Sequence, residues 1–286
     1  MRGPRLIRVM TQNMGPSMEG DGVEALRELV AQTRPQLLLV QQVVGLSSQK
    51  RLRAFGECLG MQVVVGEIRG GRGGAIVVGW DPGWMELDGF EVTDGLGPAD
   101  GFGYVAAHLK VVGWKYVEKL TAVSCHLSRS SAPLAAQQVQ VLGDLVHRDG
   151  GLGVIGGGIN HLPVGDEEPD WASVPPFRRM ALCRAPTAGD ATLVGDDLVG
   201  RTLALGGFAD VAARIADRGV IEHPELRAPT VNLPCAIRGD QVHVTSALAS
   251  TIETCTRLEA LAGGHRGLAA DLDLAKVDIN GRHAYV

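Results

Sequence analysis

Aromatic side chains are scarce in this sequence, since Phe, Trp and Tyr make up only 4% of its 286 residues. Proteins that stack single-stranded bases need several ring faces on one surface, so this composition argues against such a platform. Positive charge is not in excess either, because 27 Lys and Arg stand against 32 Asp and Glu, for a net charge of −5. This balance argues against an affinity that comes mainly from nucleic-acid phosphates. We therefore expect no nucleic-acid partner.

Long apolar runs are missing as well. No segment approaches the ~20 apolar residues that a membrane helix needs, and residues 1–9 carry basic side chains without the apolar stretch of a signal peptide. The glycine-rich stretches 70–74, expected to form a turn, and 150–158 have neither the Lys-Ser/Thr of a phosphate-binding loop nor the spacing of a dinucleotide fingerprint. These absences predict a cytoplasmic protein with no membrane partner and no bound cofactor.

Cysteines are few, odd in number and widely spaced, and no Cys-x-x-Cys pair occurs. They are Cys58, Cys125, Cys183, Cys235 and Cys255. This pattern favours reduced thiols buried as small apolar side chains over disulfides. No spacing of Cys and His is typical of a structural zinc site, so we predict no metal from these residues.

The sequence does contain an alternation of short β-like runs with helical stretches. Apolar or β-branched runs predict strands at 6–11, 37–40, 61–65, 75–80, 104–112, 119–125, 153–156 and 241–245. Apolar residues at helical spacing predict helices at 22–33, 50–59 and 133–147, and a loop that ends helical at 201–216. The Pro-, Asp- and Glu-rich stretch 163–186 is expected to be a surface excursion. This order predicts an α/β sandwich of mixed sheets with helices outside, as a single domain over residues 1–286.

Polar residues stand where several of the predicted strands end or begin. They are Asn13, Gln42, His126, Asn160, His161, Asp240 and Asp271. Each taken alone is more often a turn former or a hydrogen-bonded structural group than a ligand. In this order along the whole chain, however, they match the way in which an α/β scaffold assembles one site from its loops.

The same segments resemble the motifs of the endonuclease/exonuclease/phosphatase superfamily of deoxyribonuclease I-like proteins, and most of all its actinobacterial branch. Residues 8–13 (RVMTQN) correspond to the first strand with its Asn, and 35–43 (PQLLLVQQV) to the family's PDLLLLQEV. Residues 124–127, 156–160 and 238–241 correspond to its SHL, GDxN and RIDxI motifs, and 270–272 to its terminal SDH. The resemblance runs from residue 7 to about residue 277 and implies a four-layered sandwich of two packed mixed β-sheets flanked by helices.

Some of the residues that this family uses for catalysis are replaced in this sequence. The resemblance implies a glutamate that holds Mg²⁺, an aspartate that activates the attacking water, and a histidine that contacts phosphate and pairs with the RID aspartate. Gln42 stands in place of the glutamate, Gly158 in place of the GDxN aspartate and Leu272 in place of the SDH histidine. Neutral groups do not replace charged ones in chemistry dominated by charge. We therefore expect a retained fold without Mg²⁺-dependent phosphodiester hydrolysis, and a more apolar cleft suited to a small organic molecule.

Three hypotheses follow from these losses. The first is a metal-independent cyclase, isomerase or hydrolase of specialised metabolism, such as antibiotic biosynthesis, in which His126 acts as acid or base and Asp240, without its family His partner, takes a new catalytic role. Its substrate would be bound by Asn13, Gln42, Asn160, His161, Asp271 and Leu272. The second is a small-molecule binding or self-resistance protein without turnover. The third is a residual Mg²⁺ phosphoesterase with ligands relocated to Asp240, Asp271, Asp166 or Glu167.

Overall fold

A computed structural model describes residues 6–15, 21–67, 74–93, 102–114, 119–184, 192–218, 223–231 and 237–283. Its strands are β1 (Leu6–Asn13), β2 (Leu37–Val43), β3 (Gln62–Glu67), β4 (Ala75–Trp80), β5 (Met85–Thr93), β6 (Gly103–Val111), β7 (Leu120–His126), β8 (Gly153–Gly158), β9 (Phe208–Asp210), β10 (Asp240–Thr245), β11 (Ile252–Ala260) and β12 (Arg266–Asp273). Most of the turn predicted at 70–74, and Cys235, lie outside the described residues.

The helices are α1 (Asp21–Thr33), α2 (Gln49–Leu59), α3 (Ala132–Arg148), α4 (Pro176–Leu182), α5 (Leu198–Leu205), α6 (Val211–Ala216) and α7 (Pro224–Arg227). Local sequence explains the ends of α2, because the Ser48 hydroxyl accepts a hydrogen bond from the Arg51 amide and Gly60 ends the helix with a φ of 67°. Ser131 caps α3 in the same way. The described part of the chain has no helix with the length and apolarity needed to cross a membrane.

The structure contains elements that the sequence patterns did not predict. The edge strand β11 has one exposed side along most of its length, so it lacks the apolar run by which buried strands are found. The stretch expected as a surface excursion includes α4 and contributes to a small core of its own, formed by Leu162, Trp171, Val174, Ala181, Leu182 and Ile237. Within 201–216 the expected loop is instead α5, followed by β9 and α6.

Two six-stranded mixed sheets pack face to face. The first has the order β11-β12-β1-β2-β4-β3, and the second has the order β5-β6-β7-β8-β10-β9. Apolar side chains of both meet in the core between them, among them Ile7 and Leu39 from the first sheet and Val154 and Val244 from the second. Helices α1 and α2 cover the outer face of the first sheet, and α3 and α5 cover that of the second. These four layers confirm the predicted fold class.

The cysteines are free where they are described, but not all of them are buried. Cys125 lies in the core and burial raises the pKa of its thiol to about 12. Cys58 is exposed on α2, which corrects the expectation that all of these thiols are buried. Cys183 and Cys255 are half-buried.

Strand direction brings the polar strand ends to one edge of the sandwich. In the first sheet β1 and β2 are parallel, with Asn13 opposite Gln41. In the second sheet β7 and β8 are parallel, with His126 opposite Gly158. β10 is antiparallel to β8, so its first residue, Asp240, also lies opposite Gly158.

Candidate functional site

Gly158 lies at the centre of the candidate site. A Cβ built on this glycine would lie 3.4 Å from Nδ2 of Asn13, 3.3 Å from Nδ2 of Asn160 and 2.9 Å from Cδ2 of His126. Asp240 is its partner on the neighbouring strand. The structure therefore brings together four of the predicted site residues around the glycine that stands where the resemblance implies an aspartate.

The two asparagines present their amide groups to this space. The side-chain oxygen of Asn13 accepts a hydrogen bond from the Gly15 amide (3.0 Å), and its Nδ2 is buried without an acceptor among the described residues. Asn160 has a left-handed φ of 64°, and its Nδ2 donates to the backbone oxygens of Leu127 (2.8 Å) and Gly158 (3.0 Å). A buried N–H without a partner costs about 1–3 kcal/mol, a cost that an acceptor on a ligand would remove.

Asp240 is paired with a histidine, contrary to the prediction that it lacks such a partner. Its Oδ2 accepts a hydrogen bond from Nδ1 of His265 at 2.7 Å. A carboxylate only accepts, so Nδ1 carries a proton, and in the neutral ring Nε2 keeps its lone pair. Burial lowers the pKa of His265, but the hydrogen bond and charge of Asp240 raise it by more, so the net pKa lies above its usual value. Oδ1 of Asp240 is buried and has no partner within the described part of the chain.

Glycines and backbone contacts fix the position of His265 just before β12. Nε2 of Gln12 donates to the His265 carbonyl at 3.2 Å. In the preceding turn a Cβ on Gly263 would overlap the carbonyl oxygen of Met14, so this close approach requires glycine. Gly264 follows with a φ of 77°, which also favours glycine. Gly263 and Gly264 therefore set the path that brings His265 to Asp240.

The assignment of residues 270–272 to the terminal SDH motif is wrong. β12 is antiparallel to β1, and Asp271 lies opposite Arg8, near the start of β1. A strand advances ~3.3 Å per residue, which puts Asp271 roughly 17 Å along β1 from the level of Asn13. The start of β12 lies beside the site, and its end does not.

Asp271 and Leu272 accordingly have structural roles. The Asp271 carboxylate accepts from Nε (2.7 Å) and Nη2 (2.9 Å) of Arg8 and from the hydroxyl of Thr254 (2.9 Å). The hydrogen bond from Arg8 lowers the pKa of Asp271. Leu272 is fully buried in the core between the sheets. Neither residue reaches the cleft around Gly158, so both are removed from the predicted substrate-binding set.

His265 takes the place in the motif that was assigned to Leu272. With the histidine there, Gly263 and Gly264 stand where the resemblance implies Ser and Asp. With this alignment the resemblance implies that His265 is the histidine of the motif and that Gly264, like Gln42 and Gly158, stands in place of a carboxylate. The sequence patterns did not predict a strand at 266–273, so nothing in them marked His265 as lying at a strand end, and the aspartate at 271 matched the short motif instead.

Gln42 lies at the same edge of the sandwich as the cleft. The residue whose side chain enters the interior is the preceding one, Gln41. Gln41 is fully buried, and its Nε2 donates to the hydroxyls of Ser124 (2.9 Å) and Thr11 (3.4 Å), which ties the two sheets together. Gln42 is half-buried in a left-handed conformation with a φ of 61°, where the pairing of β2 with β4 is interrupted.

His161 supports the loop that carries Asn160. It is fully buried, and its Nε2 donates to the backbone oxygen of Ser128 at 2.8 Å. Its own carbonyl accepts from Nε2 of Gln241 at 3.0 Å. Burial lowers the pKa of His161, so the ring is neutral at physiological pH. These contacts join β10 to the loop after β8 and make His161 a structural residue.

The residues of the cleft do not fit the Mg²⁺ ion that the fold family implies. Hard divalent cations prefer several charged oxygens, and the one carboxylate that the described residues bring to this space, Asp240, accepts from His265 with Oδ2 and leaves Oδ1 alone without a partner. Asp166, one of the relocated ligands considered above, is held by Arg227 (2.8 Å) and Arg238 (2.8 and 3.0 Å). Within the described residues, the one group of three metal-ligating side chains lies elsewhere, at Glu91, His108 and Asp149.

Comparison with known proteins identifies the fold. No protein-family model matches the sequence, and no curated protein sequence matches it. Among solved structures it is similar to D. rerio TDP2 complexed with single strand DNA product, with a TM-score of 0.62, 12% identity and coverage of 93% of this chain and 98% of that chain. It is also similar to the human Nocturnin catalytic domain with bound sulfate anion, with a TM-score of 0.63, 12% identity and coverage of 93% of each chain.

A third similar structure is the endonuclease/exonuclease/phosphatase from Beutenbergia cavernae, with a TM-score of 0.58, 16% identity and coverage of 95% of this chain and 72% of that chain. At identities this low the likeness concerns the fold alone. This chain therefore has the deoxyribonuclease I-like fold of the endonuclease/exonuclease/phosphatase proteins.

Proposed function

We propose that this chain binds a small, uncharged or weakly charged organic molecule around Gly158 and acts on it as a metal-independent acid/base enzyme. The observation that carries the proposal is the hydrogen-bonded pair of Asp240 and His265 in a cleft that has lost its other implied carboxylates. Gln42, Gly158 and Gly264 stand at those positions. The site therefore has a histidine that can transfer a proton, but it does not have the carboxylates that would hold a metal ion against a phosphate.

His265 is the base in this proposal. Asp240 holds Nδ1–H, fixes the ring and stabilises the imidazolium that forms when Nε2 takes a proton. The raised pKa of His265 makes its neutral imidazole a stronger base. The same shift lowers the fraction of the protein in which this ring is neutral near pH 7. The unpartnered Nδ2 of Asn13 is placed to donate to a carbonyl or hydroxyl oxygen of the substrate.

His126 supplies a second imidazole on the other side of the cleft. The strand order β7-β8-β10 puts His126 and Asp240 on opposite sides of Gly158. Two titratable groups that face one space in different environments can act as acid and base in the same reaction. We therefore assign His126 to the complementary acid/base role, opposite His265.

A cavity of about 830 Å³, whose lining is close in sequence to the site, favours a ligand that is not a polyanion. It is lined by Leu162, two residues after Asn160, and by Ile237 and Arg238, three and two residues before Asp240. Its charged lining residues are Asp166, Glu167, Glu168, Asp170, Arg227 and Arg238, so acids outnumber bases. A wall of this sign repels phosphate chains, and the volume lies in the range of about 300–1,000 Å³ that is typical of small-molecule sites.

Chromogenic and neutral esters provide the test. We expect the chelator-treated protein to hydrolyse p-nitrophenyl acetate or one of a panel of neutral lactones, with the rate lost in His265→Ala and reduced in Asp240→Asn. His223→Ala, which changes an exposed histidine paired with Glu225, is the matched control and should keep the rate. Turnover that survives in His265→Ala would contradict the proposal. Binding seen as shifts of the His265 ring signals, without turnover of any probe, would favour the binding-only hypothesis instead.

A second candidate function is a phosphodiesterase. It is favoured by the likeness to a TDP2 that holds a single strand DNA product and by the retained Asn13, Asn160, His126 and Asp240–His265 pair. The lost carboxylates argue against it. We expect no cleavage of single-stranded DNA or bis-p-nitrophenyl phosphate with Mg²⁺ or Mn²⁺. Metal-dependent cleavage that disappears in His265→Ala would replace the first proposal with this one.

A further inference from the structure

A cluster of three potential metal ligands lies at the far end of β7 from the cleft. Glu91 on β5, His108 on β6 and Asp149 at the end of α3 each place one ligand atom within 4.8 Å of the other two. His108 lies opposite Thr121 at the start of β7, whereas His126 ends that strand. The five residue steps from Thr121 to His126 separate the cluster from the cleft by roughly 17 Å, so it is independent of the proposed active site.

His108 is held in a way that is typical of a metal-ligating histidine. The residue is more than nine-tenths buried, and its Nδ1 lies 3.2 Å from the hydroxyl of Thr121. When Nδ1 donates to Thr121, Nε2 keeps its lone pair on the side of Glu91, whose Oε1 is 3.7 Å away and beyond hydrogen-bond distance. A hydrogen bond from the other ring nitrogen is the usual support of a histidine ligand.

Asp149 adds a carboxylate oxygen that the protein itself leaves unsatisfied. Its Oδ2 is buried, has no hydrogen-bond partner among the described residues and lies 3.6 Å from Nδ1 of His108. It also stands at the C-terminal end of α3, where the helix dipole disfavours a negative charge. Both features are costs that a bound cation would offset.

The separations are within reach of a small transition-metal ion. Ligands of tetrahedral Zn²⁺ at the usual bond lengths lie ~3.4 Å apart. Glu91 lies 3.7 Å from Nε2 of His108 and Asp149 lies 3.6 Å from Nδ1, so an ion on one ring nitrogen has one carboxylate near the ideal separation and the other within 4.8 Å. One imidazole and two carboxylates form a donor set that such ions accept, with a remaining position for water. Mg²⁺ and Ca²⁺ prefer oxygen ligands throughout, so His108 selects against them.

The guanidinium of Arg148 now supplies positive charge to the two carboxylates, as a bound ion would. Nη2 of Arg148 lies 2.6 Å from Oε1 of Glu91 and 3.9 Å from Oδ2 of Asp149. The Arg148 side chain is half-exposed, so it can swing into solvent when an ion enters. We propose that Glu91, His108 and Asp149 form a site for a divalent transition-metal ion such as Zn²⁺, which competes with Arg148 and fastens the edge of the second sheet to the end of α3.

Calorimetric titration of the full chain with ZnCl₂ tests this proposal. The titration uses a Cys58→Ser background, because this exposed thiol would bind zinc by itself. We expect one ion per chain, a higher melting temperature with Zn²⁺, and visible absorption bands of a four-coordinate ion when Co²⁺ replaces it. Asp149→Asn and Glu91→Gln should each weaken binding by roughly tenfold or more. These two positions are partly exposed, so the test survives if His108→Asn fails to fold.

Arg148→Gln separates this site from adventitious binding. Removal of the competing guanidinium should raise the Zn²⁺ affinity, whereas a non-specific surface site would be indifferent to it. His223→Ala removes a surface histidine that contacts Glu225 and should leave binding unchanged. The proposal is overturned if no ion binds, if neither carboxylate variant weakens binding, or if Arg148→Gln leaves the affinity unchanged or weakens it.

Discussion

Asp240 and His265 form a hydrogen bond that joins the two sheets of the sandwich. Oδ2 of Asp240, at the start of β10 in the second sheet, lies 2.7 Å from Nδ1 of His265, directly before β12 in the first sheet. The Asp240 amide donates to the hydroxyl of Thr230 (2.8 Å), and the Thr230 carbonyl accepts from the amide of Arg266 (2.8 Å). The geometry of the pair therefore depends on how the two sheets pack.

The first prediction concerns the pH dependence of stability. The pKa of His265 is raised in the folded state, so the folded protein binds this proton more tightly than the unfolded chain, in which histidine titrates near about 6.5. The resulting stabilisation is fully present below the unfolded value and is lost as pH rises through the folded pKa. Urea unfolding across this pH range should show the decline, and Asp240→Asn should flatten it. A decline of the same size in Asp240→Asn would show that other groups cause it.

The second prediction concerns the space at Gly158. A Cβ there would lie 2.9 Å from Cδ2 of the buried His126, so any side chain overpacks the site. Gly158→Ala should lower the free energy of unfolding by about 1–3 kcal/mol. Gly158→Asp should lower the free energy of unfolding by more than Gly158→Ala, because it also buries a charge. It should not restore Mg²⁺-dependent cleavage of DNA.

Gly143→Ala is the matched control for this prediction. Gly143 lies inside α3, and a Cβ there meets only Phe208, at an ordinary 3.5 Å. Its replacement should be neutral or stabilise the protein by roughly 0.5–1 kcal/mol. If Gly158→Ala is as stable as wild type in urea unfolding, the site is more plastic than its packing indicates.

The third prediction separates Asp271 from the cleft. Its pKa is lowered by the hydrogen bond from Arg8, so it contributes stability above its unfolded pKa, and that contribution is lost as pH falls through the folded pKa. Asp271→Asn should therefore lower the free energy of unfolding near neutral pH. In acid the variant and the wild type should have similar free energies of unfolding. Ring signals of His265 should not move in this variant, and a shift of those signals would return Asp271 to the site.

The fourth prediction concerns the buried arginine that anchors the start of β10. Arg238 is fully buried and donates to both carboxylate oxygens of Asp166 (2.8 and 3.0 Å) and of Asp210 (3.0 and 2.8 Å). Arg238→Met leaves two buried carboxylates without their main partner and should cost about 3–5 kcal/mol in urea unfolding. Arg227→Met, at the more exposed edge of the same network, should cost clearly less. Equal effects would mean that burial of Arg238 adds nothing.

Periodicity predicted most of the elements that have a buried side, although the buried strand β12 was not among them. Helices α1, α2 and α3 begin and end within one residue of the predicted bounds, because their apolar faces and the serine caps of α2 and α3 are local features. β11 was missed because an edge strand with an exposed side has no apolar run. The arrangement of two sheets came from the resemblance and the order of elements, and the structure confirms it.

The site was predicted in part, for a related reason. Each of four residues ends, follows or begins a strand in a recognisable motif, and the structure brings them together around Gly158: Asn13, His126, Asn160 and Asp240. His265 was missed, and Leu272 was wrongly taken for its counterpart. A short motif does not fix which end of a strand faces the site, because that depends on the register of β12 against β1.

The sequence by itself determined that Gln42 and Gly158 are neutral where the resemblance implies carboxylates, whereas Gly264 was recognised only from the register of β12. The sequence also determined most of the strands whose apolar runs build the core. Only the tertiary structure decided which histidine meets Asp240, since the two residues are 25 positions apart and lie in different sheets. The physical reason is that hydrophobic patterning acts along the chain, whereas a hydrogen bond of 2.7 Å depends on the register and packing of strands that are distant in sequence.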